Sequence, residues 1–225
     1  MSYLAVSGSD ATLVVVEITG NRLKDRYRAT AREVLAELAG ELFLNEGYDS
    51  VTLERVAREG GVSIRTVMRY FQSKDQLALA RHIDARDEFR AKIENPERTA
   101  DTITFWREHV RTYALLLEEN SEFWRRHLEL IEMVPALTAS FLNTTRSYED
   151  LLTESLARES GLTAPDLRCR FVAAALISAN LAAMRHWIAE PDARLQEISG
   201  AAIEFVLSAT APKTGPADAS AHLAH

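Results

Sequence analysis

The chain has 225 residues, 47% of them apolar and 26% charged, which is enough to bury a sizeable core as one large or two modest domains. A single cysteine, Cys169, excludes an internal disulfide and a cysteine-based zinc site and favours a reducing setting. The net charge of −7 argues at first against a nucleic-acid partner, but its distribution does not. Residues 21–92 hold 14 basic against 12 acidic side chains, residues 93–225 hold 12 against 19, and Arg65, Arg69 and Lys74 lie in an acid-free run over 63–74.

Residues 1–20 stand apart. ATLVVVEITG has β-branched strand character, yet nothing later in the chain offers a partner strand. Three readings stand open: a disordered extension, an ordered arm, or an upstream start that the cell does not use. Disorder or a mis-start is favoured, and 1–28 is set aside as an extension. No apolar run approaches the ~18–20 residues needed to span a bilayer, and MSYLAVSGSD lacks the basic n-region of a secretory signal. The expectation is a cytoplasmic protein without a membrane partner.

From residue 29 onward the pattern is helical. Ala31, Val34, Leu35, Leu38, Ala39, Leu42 and Phe43 form one apolar stripe, with Thr30 as N-cap and Gly47 as the stop. Thr52 caps LERVARE, which ends at Gly60-Gly61; Ser63 caps the next helix. Ser73 caps a fourth, KDQLALARHIDARDEFRAKI, predicted to run unbroken to Asn95-Pro96. Longer helices follow over about 100–119, 121–133, 136–159, 165–189 and 192–209. The tail from Ala211 is Pro/Ala/Gly-rich and reads as disordered. The fold class is all-α, with domains over 29–89 and 90–210 and a tail over 211–225.

LERVAREGGVSIRTVMRYF, Leu53 to Phe71, has the spacing of a helix-turn-helix. Ala57 is small where two helices cross, Gly61 follows four residues later where the turn needs positive φ, and Val67 comes six after that to pack the second helix inward. On a wheel, Val67, Tyr70 and Phe71 face the core, and Arg65, Met68 and Arg69 take the opposite arc with Ile64 and Thr66 at its borders. Arginine can bridge guanine O6 and N7, while isoleucine and methionine can pack on thymine methyls. A solvated helix with two snorkelling arginines is the bland reading, and geometry and charge together favour DNA.

From Thr30 to about Phe89, and most clearly in LFLNEGYDSVTLERVAREGGVSIRTVMRYFQSKDQL, the chain resembles the DNA-binding domain of the TetR family of bacterial transcriptional regulators. The resemblance implies a homodimer whose three-helix heads each read half of an inverted repeat in double-stranded DNA. It also implies a helical C-terminal domain that binds a small effector and dimerises. Carried over by position, Thr52 and Lys74 should contact phosphate at helix N-termini, with Ser63, Arg69 and Tyr70 as phosphate neighbours. Ile64, Arg65, Thr66 and Met68 should lie nearest the bases. The family commonly has tyrosine where this chain has Met68, so a hydroxyl that could reach phosphate is missing and a methyl or packing contact is expected instead.

The C-terminal half is read from pattern. FVAAALISANLAAM, Phe171 to Met184, carries no charge for about four turns and must be covered on two sides. With Ile203–Leu207 it suggests a four-helix dimer interface through Phe171, Ala175, Ser178, Ala182, Ile203 and Leu207, against the bland reading of a helix buried within one subunit. Aromatics and methionines are dense at Phe105, Trp106, Tyr113, Phe123, Trp124, Met133, Phe141 and Tyr148, and at Trp187. Most are core; a pocket, if formed, would draw on the first eight plus polar groups such as Asn143, His109 or His127. No Glu-x-x-His pair, P-loop, Gly-x-Ser-x-Gly or His-Glu-x-x-His occurs, so neither catalysis, cofactor nor metal is expected. The function expected is a ligand-responsive regulator, most simply a repressor. The readings beside it are an activator, and a small-molecule-binding or interaction protein that no longer reads DNA.

Overall fold

The structure is a computed structural model and describes residues 31–163 and 166–210. The extension over 1–28, the Thr30 cap and the tail from Ala211 lie outside the described residues. Two compact units divide between Arg81 and His82, earlier in the chain than the 89/90 boundary expected from sequence. Among the described residues the secondary structure is helical throughout.

In the first unit, α1 (31–46) buries Leu35, Ala39 and Phe43. Val34, expected on the same stripe, is exposed, because it lies 100° off the Leu35 line at the stripe's edge. Gly47 stops α1 with φ +86°, its amide donating to the Phe43 carbonyl at 3.1 Å. Three short helices follow: α2 (Leu53–Glu59), α3 (Ile64–Tyr70) and α4 (Lys74–Ala78). Each begins at the cap its sequence offers. Thr52 accepts from the Arg55 amide, Ser63 from Thr66 and Ser73 from Gln76.

The fourth helix is not continuous. It breaks at Leu79 (φ −96°, ψ 12°), and α5 (Ala80–Ile93) starts afresh. Leu77, Ala78, Leu79 and Ala80 are all buried, and four successive residues cannot share one stripe of a straight helix. Reorienting the chain at Leu79 lets all four be covered.

The second unit packs α5 with α6 (Thr102–Glu118), α7 (Ser121–Met133), α8 (Pro135–Glu159), α9 (Leu167–Ala189) and α10 (Leu195–Thr210). Phe89, Ile93, Trp106, Leu152, Leu176 and Ile203 are central to its core. Asp101 and Asp166 cap α6 and α9, Pro135 opens α8, and Gly161 (φ +69°) follows it. By length and composition α9 could cross a membrane, which revises the expectation that no such run exists. Here its Ala173, Leu176, Ile177 and Trp187 are buried within the helical unit instead.

Candidate DNA interface and effector cavity

Gly61 adopts φ +62° in the turn between α2 and α3, as the helix-turn-helix spacing requires. Ala57 and Val67 are both buried, and the Val62 amide donates to the Ala57 carbonyl at 2.9 Å, closing the turn. With Val67 and Phe71 fixing the inner face of α3, Arg65, Met68 and Arg69 are left outward, Met68 at 57% exposure. Ile64 and Thr66 are half-buried at the borders of that arc. Tyr70, assigned to the core side by the wheel, is also half-buried, with its hydroxyl accepting from Arg69 at 3.3 Å.

The helix starts of this unit carry groups suited to phosphate. Thr52 and Ser63 are exposed at the starts of α2 and α3, and Ser63 Oγ also lies 2.9 Å from Thr66 Oγ1. Lys74 opens α4, its Nζ 4.1 Å from the Tyr48 ring centroid and 5.9 Å from that of Phe43. Burial draws the Lys74 ammonium below its ordinary pKa, while Asp49 and Asp75 pull the other way. The Tyr48 hydroxyl donates to Asp75. Sequence reasoning missed this arrangement, since Tyr48 reads as one more core aromatic.

In the second unit, α5, α6, α8, α9 and α10 enclose a cavity of about 610 Å³ of space between atoms, its open mouth included. From α6 it takes Trp106, His109, Val110, Tyr113, Ala114 and Leu117, one face at helical spacing. Tyr113 and Tyr148 each reach a histidine: Tyr113 Oη lies 2.6 Å from His82 Nδ1, and Tyr148 Oη 3.1 Å from His109 Nε2. Burial, with Lys92 adding to it, drives the His109 pKa down to about 4. Burial likewise pushes the Tyr148 phenol up.

Of the eight pocket candidates, Trp106, Tyr113, Phe141 and Tyr148 line this cavity. The other four do not. Phe105, one residue round the helix from Trp106, packs on Phe89 with ring centroids 5.4 Å apart. Phe123 and Trp124 sit on α7, outside the cavity wall, and their rings pack on each other and on His127. Met133, at the end of α7, is 71% exposed. Of the polar candidates His109 lines the cavity, whereas Asn143 is exposed and His127 is buried in the α7 ring cluster. His82, Thr144, Asn180 and Ser199 were missed; single polar residues at isolated positions carry no signal until the helices are assembled.

The expected dimer face also needs correction. Ile203 is 1% exposed inside its own unit and cannot meet a second subunit. Phe205, 200° round the helix, is the exposed aromatic of α10, at 74%. On α9, Phe171 is 63% exposed, Ser178 and Ala182 are exposed, and Ala175 is half-buried; Leu207 on α10 packs partly on the core. Among the described residues no cluster of His, Cys, Asp or Glu could hold a metal ion.

Residues 30–80 match the family described as bacterial regulatory proteins, tetR family, and residues 100–211 match the MftR C-terminal domain, a TetR C-terminal type. The chain belongs to the TetR family. One match falls in each helical unit of this TetR protein. It is 24% identical to the mycofactocin biosynthesis transcriptional regulator MftR of Mycobacterium tuberculosis, across 80% of this chain and 91% of that protein. It is 28% identical to the transcriptional activator FasR of Mycolicibacterium smegmatis, across 75% and 78%. Among solved structures, SmeT of Stenotrophomonas maltophilia in its triclosan complex shares the fold at a TM-score of 0.60, with 21% identity over 80% of this chain and 91% of that one. As a TetR-family member, the chain is a DNA-binding transcriptional regulator.

Proposed function

We propose that this chain is a homodimeric repressor that binds an inverted-repeat operator through α2–α4 and is released by a small, mostly apolar effector. The observation that carries this reading is the outward arc of α3. Arg65, Met68 and Arg69 stand clear of the core, and Thr52 and Lys74 stand at the starts of α2 and α4. Base edges would be met by Ile64, Arg65, Thr66 and Met68, and phosphates by Thr52, Ser63, Arg69, Tyr70 and Lys74. Phe171, Ala175, Ser178, Ala182, Leu207 and the newly noted Phe205 would form the subunit interface. A bound effector would act through α5, from which His82 lines the cavity. The role is one of binding rather than catalysis, exercised in the cytoplasm.

Gel retardation with the DNA upstream of the protein's own gene tests the reading. A sequence-preferring complex that survives moderate salt supports it. No such complex at low or moderate salt would promote the reading as an interaction protein that has lost DNA recognition. Activation is the second reading, favoured by the relative FasR, a transcriptional activator. A reporter fused to the bound promoter separates the two by the sign of the change on deletion.

A further inference from the structure

Resting on the reading of the cavity as the effector site, we infer that its effector is an uncharged, planar aromatic compound bearing a hydrogen-bond acceptor, which Trp106 Nε1 and the Ser199 hydroxyl bind. The charge follows from the wall. No Asp, Glu, Lys or Arg lines the cavity among the described residues, and a buried carboxylate, phosphate or ammonium without a counter-charge is strongly disfavoured. His109, driven by burial to about 4, stays neutral at physiological pH and offers an anion no positive partner.

The shape follows from Trp106, Tyr113, Phe141 and Tyr148, whose rings offer faces and edges to a flat guest. The acceptor follows from the polar atoms. Thr144 and Thr145 donate their hydroxyls to carbonyls of their own helix at 3.2 and 2.8 Å. The Asn180 amide reaches the Met184 sulfur at 3.9 Å, a weak bond. Trp106 Nε1 and Ser199 Oγ are buried and have no hydrogen-bond partner among the described residues. An indole N–H only donates, so a guest that satisfies it must bring an acceptor.

Calorimetric titration of the full-length protein at neutral pH with four tricyclic probes tests this. Fluorenone is neutral with a carbonyl, fluorene lacks the carbonyl, fluorene-9-carboxylate is an anion and proflavine a cation. Fluorenone should bind about 10-fold or more tighter than each of the others, since only it pairs the buried donors without bringing a charge. Trp106→Phe and Ser199→Ala should each weaken fluorenone by roughly 3- to 10-fold, and Ser199→Ala should leave fluorene unaffected. Ser199→Ala is the conservative control should the indole replacement disturb folding. Absence of fluorenone binding, tighter binding of either charged probe, or an unchanged fluorenone affinity in Ser199→Ala overturns the inference. Gel retardation without probe keeps the two levels apart: fluorenone binding by a protein that retards no DNA refutes the regulatory reading while leaving the effector chemistry standing.

Discussion

The Tyr48 hydroxyl donates to the Asp75 carboxylate, tying the turn after α1 to the first turn of α4, and the Tyr48 ring lies under the ammonium of Lys74. One aromatic thus holds both an acid and the adjacent cation proposed to meet phosphate. Tyr48→Phe keeps the ring but removes the hydroxyl that donates to Asp75, with an expected loss of roughly 0.5–1.5 kcal/mol in urea unfolding. Tyr48→Ala removes the ring too and frees the lysine. Its DNA affinity, measured by fluorescence anisotropy well below the melting temperature, should fall several-fold for every sequence alike. An unchanged affinity would mean that the ring does not orient Lys74.

Arg65 and Lys74 should fail differently. Arg65→Ala removes a side chain proposed to meet base edges, which should cost roughly 1–3 kcal/mol on the correct operator and relax preference at one base pair. Lys74→Ala removes a proposed phosphate contact, so it should weaken all sequences together and flatten the slope of log affinity against log salt by about one unit. A salt series on operator and scrambled DNA reads both. Loss of specificity in Lys74→Ala, or its retention in Arg65→Ala, reverses the assignment.

What was legible in the sequence depended on whether the signal was local. Thr52, Ser63, Gly47 and Gly61 act on backbone within a few residues of themselves, and the helix limits and turn they imply recur in the structure. The break at Leu79 carries no Gly or Pro; it reflects burial of Leu77 to Ala80, which is a tertiary fact. The cavity was half legible for the same reason. Aromatic identity marks Phe105 and Trp106 equally; both pack on Phe89, and only the seating of α6, which buries Trp106 and leaves Phe105 half-buried, decides which of them reaches the cavity. On α10 Ile203 and Phe205 are both large apolar side chains flanking Glu204, and only the packing of the core buries the first and leaves the second exposed.

Arg125 closes the C-terminal end of α9. Its guanidinium donates to the carbonyls of Trp187, Glu190 (2.9 Å), Pro191 (3.0 Å) and Ala193 (3.3 Å), and it lies 4.3 Å from the Trp187 ring centroid. Charge-assisted bonds to helix-terminal carbonyls are among the stronger polar interactions. Arg125→Ala should destabilise the protein by roughly 2–4 kcal/mol in urea unfolding, because several acceptors lose their donor together. Arg125→Lys should recover only a minor part, since an ammonium cannot reproduce the planar fork. A loss below about 0.5 kcal/mol would leave the network without energetic weight.

Phe171 and Phe205 are the large exposed apolar side chains of α9 and α10 at the proposed subunit interface. Replacing either by arginine puts a charge where a second subunit would have to desolvate it, which is costly without a counter-charge. Phe171→Arg and Phe205→Arg should each shift the protein from dimer to monomer in sedimentation at micromolar concentration. Circular dichroism should change little, because neither side chain belongs to the core of its own unit. A wild-type chain that sediments as a monomer contradicts the interface outright.

His109 makes stability depend on pH. Its ring lies against Phe89, Trp106, Tyr113 and the Tyr148 hydroxyl, with the Lys92 charge near enough to oppose protonation. The folded pKa of about 4 is below the ordinary histidine value of 6.5, so between these limits the unfolded chain binds a proton that the folded chain refuses. Stability is therefore fully present above the unfolded value and lost as pH falls toward the folded one. From neutral pH to just above the folded pKa the loss should amount to roughly 2–3 kcal/mol. Carboxylates and the other histidines also titrate in this range, so the informative quantity is a difference. His109→Gln, which keeps a polar group for Tyr148 but cannot take up the proton, should lose that much less than wild type over the same interval. Equal losses in urea unfolding of the two proteins would show that His109 is protonated in the folded state.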